Sequence, residues 1–380
     1  MKNILINTTP LLSTHTGIAR YIYNLALALQ KEYSDNCYHY YEGYAWTDVL
    51  RDTPSKKVAS FKNKFVKKVP YSRFIIQKLQ KNLFEHRFNT DDVGIYHEPN
   101  YLPVSYKYKT IITMHDLSFI RYPEAHPFER VDLLEKKLPE AIDRSGAILV
   151  DSHFVKNEVI DCFNVDPSKI IVHHLAVDDV YYPRLEQQTS NTLNKYGLGY
   201  KKFLLSVGTL EPRKNLAQTI AAFRQLPDSV QAEYPLVIVG AKGWGDSPFN
   251  DEIGRLVDKG HIIIPGYVDI QSLAELYSAA KIFLYPSIYE GFGLPPLEAM
   301  TSGVPVIVSD VASLPEVVGE AGIKIEVGDA DRMASEIKSL ISDEQHYENV
   351  CKLSLEQSEI FTWKKCADVT MSAYKQVMEL

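Results

Sequence analysis

Cysteine is scarce. Cys37, Cys162, Cys351 and Cys366 stand far apart, with no Cys-x-x-Cys pair and no histidine at a metal-ligand interval. That spacing excludes a disulfide framework and a zinc site, leaving reduced thiols in a cytosol as the reading. Long apolar runs are also missing: none approaches the roughly 20 residues that a membrane-spanning helix needs. The opening MKNILINTTPLL, with its single lysine and an apolar run broken by Asn7 and Pro10, reads as a first strand and not as a signal peptide. The expected location is the cytoplasm, at most peripherally on the inner face of the plasma membrane. Positive charge is in deficit as well. With 41 Lys and Arg against 48 Asp and Glu, the net charge is −7, which argues against nucleic acid as a partner.

The deficit is uneven. Between Arg51 and Arg87 lie eleven Lys and Arg but only two acids, Asp52 and Glu85, so this segment carries +9 and the rest −16 by difference. Phe61, Phe65, Val66, Val69, Phe74, Ile75 and Ile76 are interleaved with the cations. Two readings stay open. The segment could lie against anionic lipid head groups, or it could form a helix whose apolar side (Ile75, Leu79, Leu83) faces the core while the lysines are solvated. Pro70 interrupts any single long helix.

What is present in abundance is short apolar runs alternating with longer helical patterns: NILIN (3–7), TIITM (110–114), AILV (147–150), IIVHH (170–174), FLLSVG (203–208), LVIVG (236–240), IIIPG (262–266), IFLYP (282–286) and VPVIVS (304–309). Near-continuous apolar strands separated by helices indicate parallel sheets covered on both faces, an α/β protein. A chain of 380 residues suits two domains. The pattern restarts at FLLSVG, after a polar stretch, RLEQQTSNTLNKYGLGYKK (184–202), that suits a linker. Two doubly wound, Rossmann-like domains are therefore expected, 1–185 and 190–360, with a helix over 361–380 that could pack on either. Open sheets of this kind bind ligands beyond the carboxyl ends of their strands, so chemistry is sought there.

Four stretches qualify. In SVGTLEPRKNLAQTIAAF (206–223), Arg213 and Lys214 sit between a strand and a helix N-terminus, a natural site for a phosphate or diphosphate; the alternative is a solvated cation pair. In STHTGIARYIYNLALAL (13–29), Gly17 either admits a ligand to the backbone or makes a tight turn. In TIITMHDLSF (110–119), His115 ends a strand and faces the ligand edge, with Asp116 beside it. In YEGFGLPPLEAM (289–300), Glu290 lies in a strand-end loop with Gly291 and Gly293, and Glu298 lies about a turn and a half into the next helix. Two carboxylates so separated do not make the acid/base pair of a glycosidase. They suit different parts of one long ligand.

Glu290 and Glu298 with seven residues between them, preceded by VGTLEPRKN and followed by PVIVSDVASLPEVVGEAGI, resemble the large retaining glycosyltransferase family of GT-B fold called family four, or glycosyltransferase group 1. The similarity runs from the opening glycine turn to the terminal FTWKKCADVTMSAY helix. It implies a nucleotide-sugar donor held mainly by the second domain and a glycan or lipid-linked glycan acceptor approaching from the first. By resemblance Arg213, Lys214 and Gly17 serve the diphosphate, and Glu298 the ribose. Glu290, with the backbone of Gly291, Phe292, Gly293 and Leu294, contacts the transferred sugar, and His115 hydrogen-bonds that sugar. Ser152 occupies a familiar place but receives no role. Many members carry arginine where this chain has Thr209, which leaves open whether Arg213 or Lys214 dominates. The resemblance further implies transfer without a metal ion or other cofactor, Glu290 positioning and stabilising rather than attacking. Members with the GTLEPRKNL wording often build bacterial surface polysaccharides such as O-antigen; GDP-mannose is the first expected donor, with rhamnose, glucose and N-acetylhexosamine donors left open. The base is expected near the loop after IIIPGYVD (262–269). A sugar-nucleotide epimerase and a non-catalytic nucleotide-sugar-binding scaffold are the competing readings.

Overall fold

The nine apolar runs all form parallel strands in the computed structural model, which describes residues 3–12, 17–51, 72–240 and 251–379, with the side chains of 72–78, 251 and 252 left aside. The first sheet contains β1 (Asn3–Asn7), β2 (Cys37–Tyr41), β3 (Trp46–Thr47), β4 (Val93–Glu98), β5 (Thr110–Met114), β6 (Ala147–Val150) and β7 (Ile170–Val172), in the order β3-β2-β1-β4-β5-β6-β7. Among the described residues only the β2 and β3 edge pair is antiparallel. The second contains β8 (Leu204–Val207), β9 (Leu236–Val239), β10 (Ile262–Gly266), β11 (Ile282–Tyr285), β12 (Val306–Ser309) and β13 (Ile323–Ile325), in the order β10-β9-β8-β11-β12-β13. In both sheets the order reverses beside the first strand, at β1/β4 and at β8/β11. Those reversals are the switch points where open α/β sheets bind ligands.

Both faces of the second sheet are covered. Leu205, Val237, Phe283 and Val306 belong to one apolar cluster, while their chain neighbours Leu204, Leu236, Ile282 and Ile307 belong to another on the opposite face. Such double burial is why these strands read as unbroken apolar runs. Strands β2 and β4 escape that reading because they are CYHYY and VGIYHE: Tyr38, Tyr41, Tyr96, His97 and Glu98 are buried with polar partners instead.

Helices that bear on the site are α1 (Gly17–Glu32), α2 (Ser72–Glu85), α3 (His153–Phe163), α4 (Glu186–Tyr196), α5 (Leu216–Arg224), α6 (Leu294–Thr301) and α7 (Trp363–Glu379). Residues Met1–Leu175 with Thr362–Leu380 make one unit and Ala176–Phe361 the other. The first unit thus ends ten residues before the expected 185, and the second begins before 190. Arg184 explains the shift: it is buried, its backbone N–H donates to Ser278 Oγ (2.6 Å), its guanidinium reaches the carbonyls of Val180 (2.7 Å) and Ala274 (3.3 Å), and Tyr181 nearby joins the second core. The supposed linker is largely α4. Its polar sequence hides a buried face of Thr189, Thr192 and Leu193, and the Leu185 N–H donates to Gln188 Oε1 (2.8 Å) at its start.

Helix α7 packs into the first unit through Cys366, Ala367, Thr370, Met371, Ala373, Tyr374 and Val377, a repeat of three and four residues that makes one helical stripe. Of the two readings of this segment, the core-facing helix fails at two of its three named residues: Leu79 and Leu83 are 45% and 40% exposed, Ile75 lies outside the described side chains, and among those described on α2 it is Phe84 that is fully buried. The basic stretch over 52–71 lies outside the described residues. Among the described residues no helix is long and apolar enough to cross a membrane.

Gly146 admits α7 to the sheet: a Cβ there would stand 2.4 Å from Val377 Cγ1. Gly146→Ala should lower stability by about 1–3 kcal/mol, read as a shifted denaturant midpoint. Adding Val377→Ala should recover part of that loss.

Candidate active site

Loops after β8 and β11 meet at the second switch point. After β8 comes a single tight turn, Pro212–Lys214, closed by Asn215 in the left-handed region (φ 52°) before α5 begins. After β11 the chain runs through Ser287 and Glu290 to Gly293, whose φ of +116° starts α6 and strains any other residue. Ser313 Oγ stands 2.9 Å from the Glu290 carbonyl and 2.6 Å from that of Phe292, pinning the loop from below. The Phe292 ring is buried edge-on against Phe361, 5.6 Å between centroids, so the side chain is a packing anchor.

Glu290 is buried and its carboxylate is surrounded by donors. Oε1 accepts from Lys214 Nζ (2.6 Å), Ser287 Oγ (2.6 Å) and Tyr285 Oη (2.8 Å), and Oε2 faces Arg213 Nη1 at 3.5 Å. Burial works against ionisation, but Lys214 and then Arg213 outweigh it and hold the carboxyl at about 2. A carboxylate so acidic is a poor proton acceptor at neutral pH and, with one oxygen gripped by three donors, a poor nucleophile. Its chemistry is to fix charge and direction.

Arg213 and Lys214 are therefore brought together with Glu290. Arg213 also makes two contacts to Glu211 Oε1 (3.2 and 2.8 Å) and donates from Nη1 to the Tyr289 carbonyl (2.6 Å). Two cations face two carboxylates, so the cluster is close to neutral. Glu298, buried on α6, does not join it; its carboxylate neighbours Tyr277, whose phenol burial and then Glu298 push well above its ordinary value. Next to β10, Tyr267 is 83% exposed, and Asp269 caps the following helix through Ser272 N (3.0 Å).

In the first unit, register decides which residues meet. Met114 pairs with Val150 and Val150 with Val172, so the residues just beyond them, His115, Asp151 and His173, stand in a row along one edge. His115 Nδ1 lies 2.8 Å from Asp151 Oδ2 and Nε2 lies 3.0 Å from the Pro99 carbonyl. Both ring nitrogens are thus engaged within the protein, including the one that the expected sugar contact would use. Burial lowers the His115 pKa, but Asp151 more than reverses this and leaves it raised. The orienting carboxylate is Asp151 and not the chain neighbour Asp116, whose Oδ1 accepts from Ser118 N (2.9 Å) and Ser118 Oγ (2.7 Å). Ser152 caps α3, accepting from Val155 N (3.2 Å). Gly17 is exposed at the first position of α1; residues 13–16 of its turn lie outside the described residues.

Sequence reasoning missed Glu211, Tyr285, Ser287 and Ser313 around Glu290, and Asp151, His173 and His97 around His115. The strand-end rule that singled out His115 applies equally to Asp151 and His173, so that signal was available. The serines and the tyrosine carried none.

Two family models match the chain: Glycosyltransferase Family 4 over residues 15–180 and Glycosyl transferases group 1 over residues 190–353. The chain is 35% identical over 380 residues to the O-antigen chain mannosyltransferase B of Escherichia coli, covering 98% of this chain and 99% of that protein. Among solved structures, sucrose-phosphate synthase from Thermosynechococcus elongatus superposes with a TM-score of 0.71 at 18% identity over 100% of both chains. Anabaena HepE in complex with UDP-glucose gives 0.70 at 15% identity over 100% of both chains. These last two likenesses establish the fold, which is GT-B, as expected.

The acidity of Glu290 predicts a pH signature. Its folded value lies below its ordinary 4.5, so the stabilisation is present above about pH 4.5 and is lost as pH falls toward about 2. The pair should contribute roughly 3 kcal/mol at neutral pH. Denaturant melts of the wild type and Glu290→Gln should therefore differ most near neutrality and converge in acid.

Proposed function

The chain belongs to the glycosyltransferases of family 4 and group 1, and from that membership we propose that it moves mannose from GDP-mannose, with retention of configuration, onto a lipid-linked glycan during O-antigen assembly. Mannose and O-antigen are suggested by the full-length likeness to the Escherichia coli mannosyltransferase. Glycosyl transfer itself is carried by one observation: a buried Glu290 carboxylate clasped by Lys214, Tyr285 and Ser287 at the switch point of the second sheet.

Departure of the nucleoside diphosphate places negative charge on its outer phosphate. Arg213, Lys214 and the N-terminus of α5 supply positive charge beside the strand end where it develops, a stabilisation of the oxyanion kind. Because Glu211 and Glu290 already neutralise these cations, the diphosphate competes with carboxylates for them, which favours release once transfer is complete. Glu290 fixes Lys214 and the loop to Leu294 against the sugar, Glu298 takes the ribose hydroxyls, and the leaving phosphate helps to remove the acceptor proton. No metal ion enters this scheme, so excess chelator should leave the rate unchanged. Glu290→Gln should remain folded and bind GDP, measured by calorimetry, yet lose at least about 100-fold in turnover. Near-normal mannosyl transfer by that variant overturns the assignment.

Peripheral membrane contact from the cytoplasmic side forms part of the same reading, because a lipid-linked acceptor sits at that surface. Leu79 and Leu83 lie one turn apart and exposed on α2, beside exposed Lys81 and Arg87, just after the most basic part of the +9 segment. Replacing Lys62, Lys64, Lys67 and Lys68 with glutamate should abolish sedimentation with vesicles rich in anionic lipid, and Leu79→Gln with Leu83→Gln should weaken it. Unchanged sedimentation of the charge variant refutes the contact.

A further inference from the structure

Among the described residues, three histidines are buried in the first unit. His97 is bonded through Nδ1 to Tyr374 Oη (2.7 Å) and through Nε2 to Thr113 Oγ1 (2.8 Å). Each of those hydroxyls can donate or accept, so neutral imidazole suits His97, and burial lowers its pKa well below the ordinary value. His115 differs in kind. Its two partners, a carboxylate and a backbone carbonyl, only accept, and both are satisfied at once only if each ring nitrogen carries a proton.

His173 completes the row. The Thr370 hydroxyl donates to the Cys366 carbonyl (2.8 Å), so it accepts from His173 Nδ1 (3.0 Å), leaving the neutral ring's lone pair on Nε2. That lone pair faces Asp151 Oδ1 across 3.6 Å, too long for a hydrogen bond, and neither atom has another partner. One carboxylate therefore lies between two imidazoles, close to the charged one and held off by the neutral one.

We propose that Asp151 is the positioning residue of His115, fixing its ring and keeping it an imidazolium, and that α7 tunes the same carboxylate through Thr370 and His173. The proposal rests on the reading, implied by the family resemblance, that His115 is a residue of the transfer reaction. Surrounding groups support the charge balance. Asp116, the next residue, adds a weaker negative field. His173 is held below its ordinary value, chiefly by burial, and burial raises Tyr21 from α1, Tyr101 from the loop after β4, and Cys366 and Tyr374 from α7, so all of these stay uncharged. Burial pushes Asp151 up, but the charge and hydrogen bond of His115 outweigh it and leave it low.

The test is a histidine titration of the full-length protein by long-range proton–nitrogen NMR, with the His115 signal identified by its loss in His115→Gln. In the wild type His115 should titrate above an ordinary imidazole. In Asp151→Asn, which keeps an acceptor but removes the charge, burial is opposed only by the Pro99 carbonyl and the weaker Asp116 field, and the titration should fall below the ordinary value; Asp151→Glu should restore it. The alkaline limb of kcat with GDP-mannose should move in parallel, so that at high pH turnover falls about tenfold for every pH unit by which the His115 midpoint drops. A wild-type His115 that titrates at or below the ordinary value overturns the proposal without recourse to any variant. So does an Asp151→Asn protein with an unmoved His115. If the titrations behave as stated while the wild type transfers no sugar from GDP-mannose, the positioning stands and the choice of donor falls.

Discussion

Register in the two parallel sheets is the constraint on which everything else depends. Strands that pair in parallel all end on one edge, so whatever residue follows a strand is delivered to that edge whether or not it is near its partners in sequence. Asp151 reaches His115 across 36 residues and Lys214 reaches Glu290 across 76 in this way. Neither contact has a local cause. Both follow from apolar runs that bury on two faces, with a polar residue placed soon after them.

The two edges use that delivery differently. In the second unit the strand ends supply opposite charges that cancel within one cluster, with Tyr285 and Ser287 satisfying the remaining valence of Glu290. A buried ion pair is tolerable only when its polar atoms find partners, and Glu290 Oε1 has three donors while Oε2 faces Arg213. In the first unit the edge carries an imidazole on either side of Asp151. The charge there is decided by what each ring nitrogen faces: acceptors on both sides of His115, hydroxyls on both sides of His97.

Much of this was legible in the sequence, for a physical reason. Strands such as IFLYP and VPVIVS announce themselves because burial on both faces removes polar residues, and Arg213, Lys214, His115 and Glu290 were visible because charge beside such a run is conspicuous. What was illegible has an equally definite cause. Strands β2 and β4 hide because their interior partners are polar, so VGIYHE does not look buried. Helix α4 hides because two of its three buried residues are threonines. Leu79 and Leu83 misled because helical spacing marks a common face without saying whether protein covers it. Ser287 and Ser313 are known only once the loop is folded, since a serine has no periodic signature.

Helix α7 bears on how the chain becomes a protein at all. It belongs to the first unit, yet it is made after the whole of the second, and Tyr374 closes a hydrogen bond with His97 across 277 residues of sequence. A nascent first half therefore has β4, β5, β6 and β7 in hand but lacks the α7 partners of His97 and His173 and the apolar contact that Val377 makes at Gly146. Contacts of such long range are slow to form, and domains otherwise tend to fold in order of synthesis. In this chain the second half can mature first, while the first half waits for α7 to follow it.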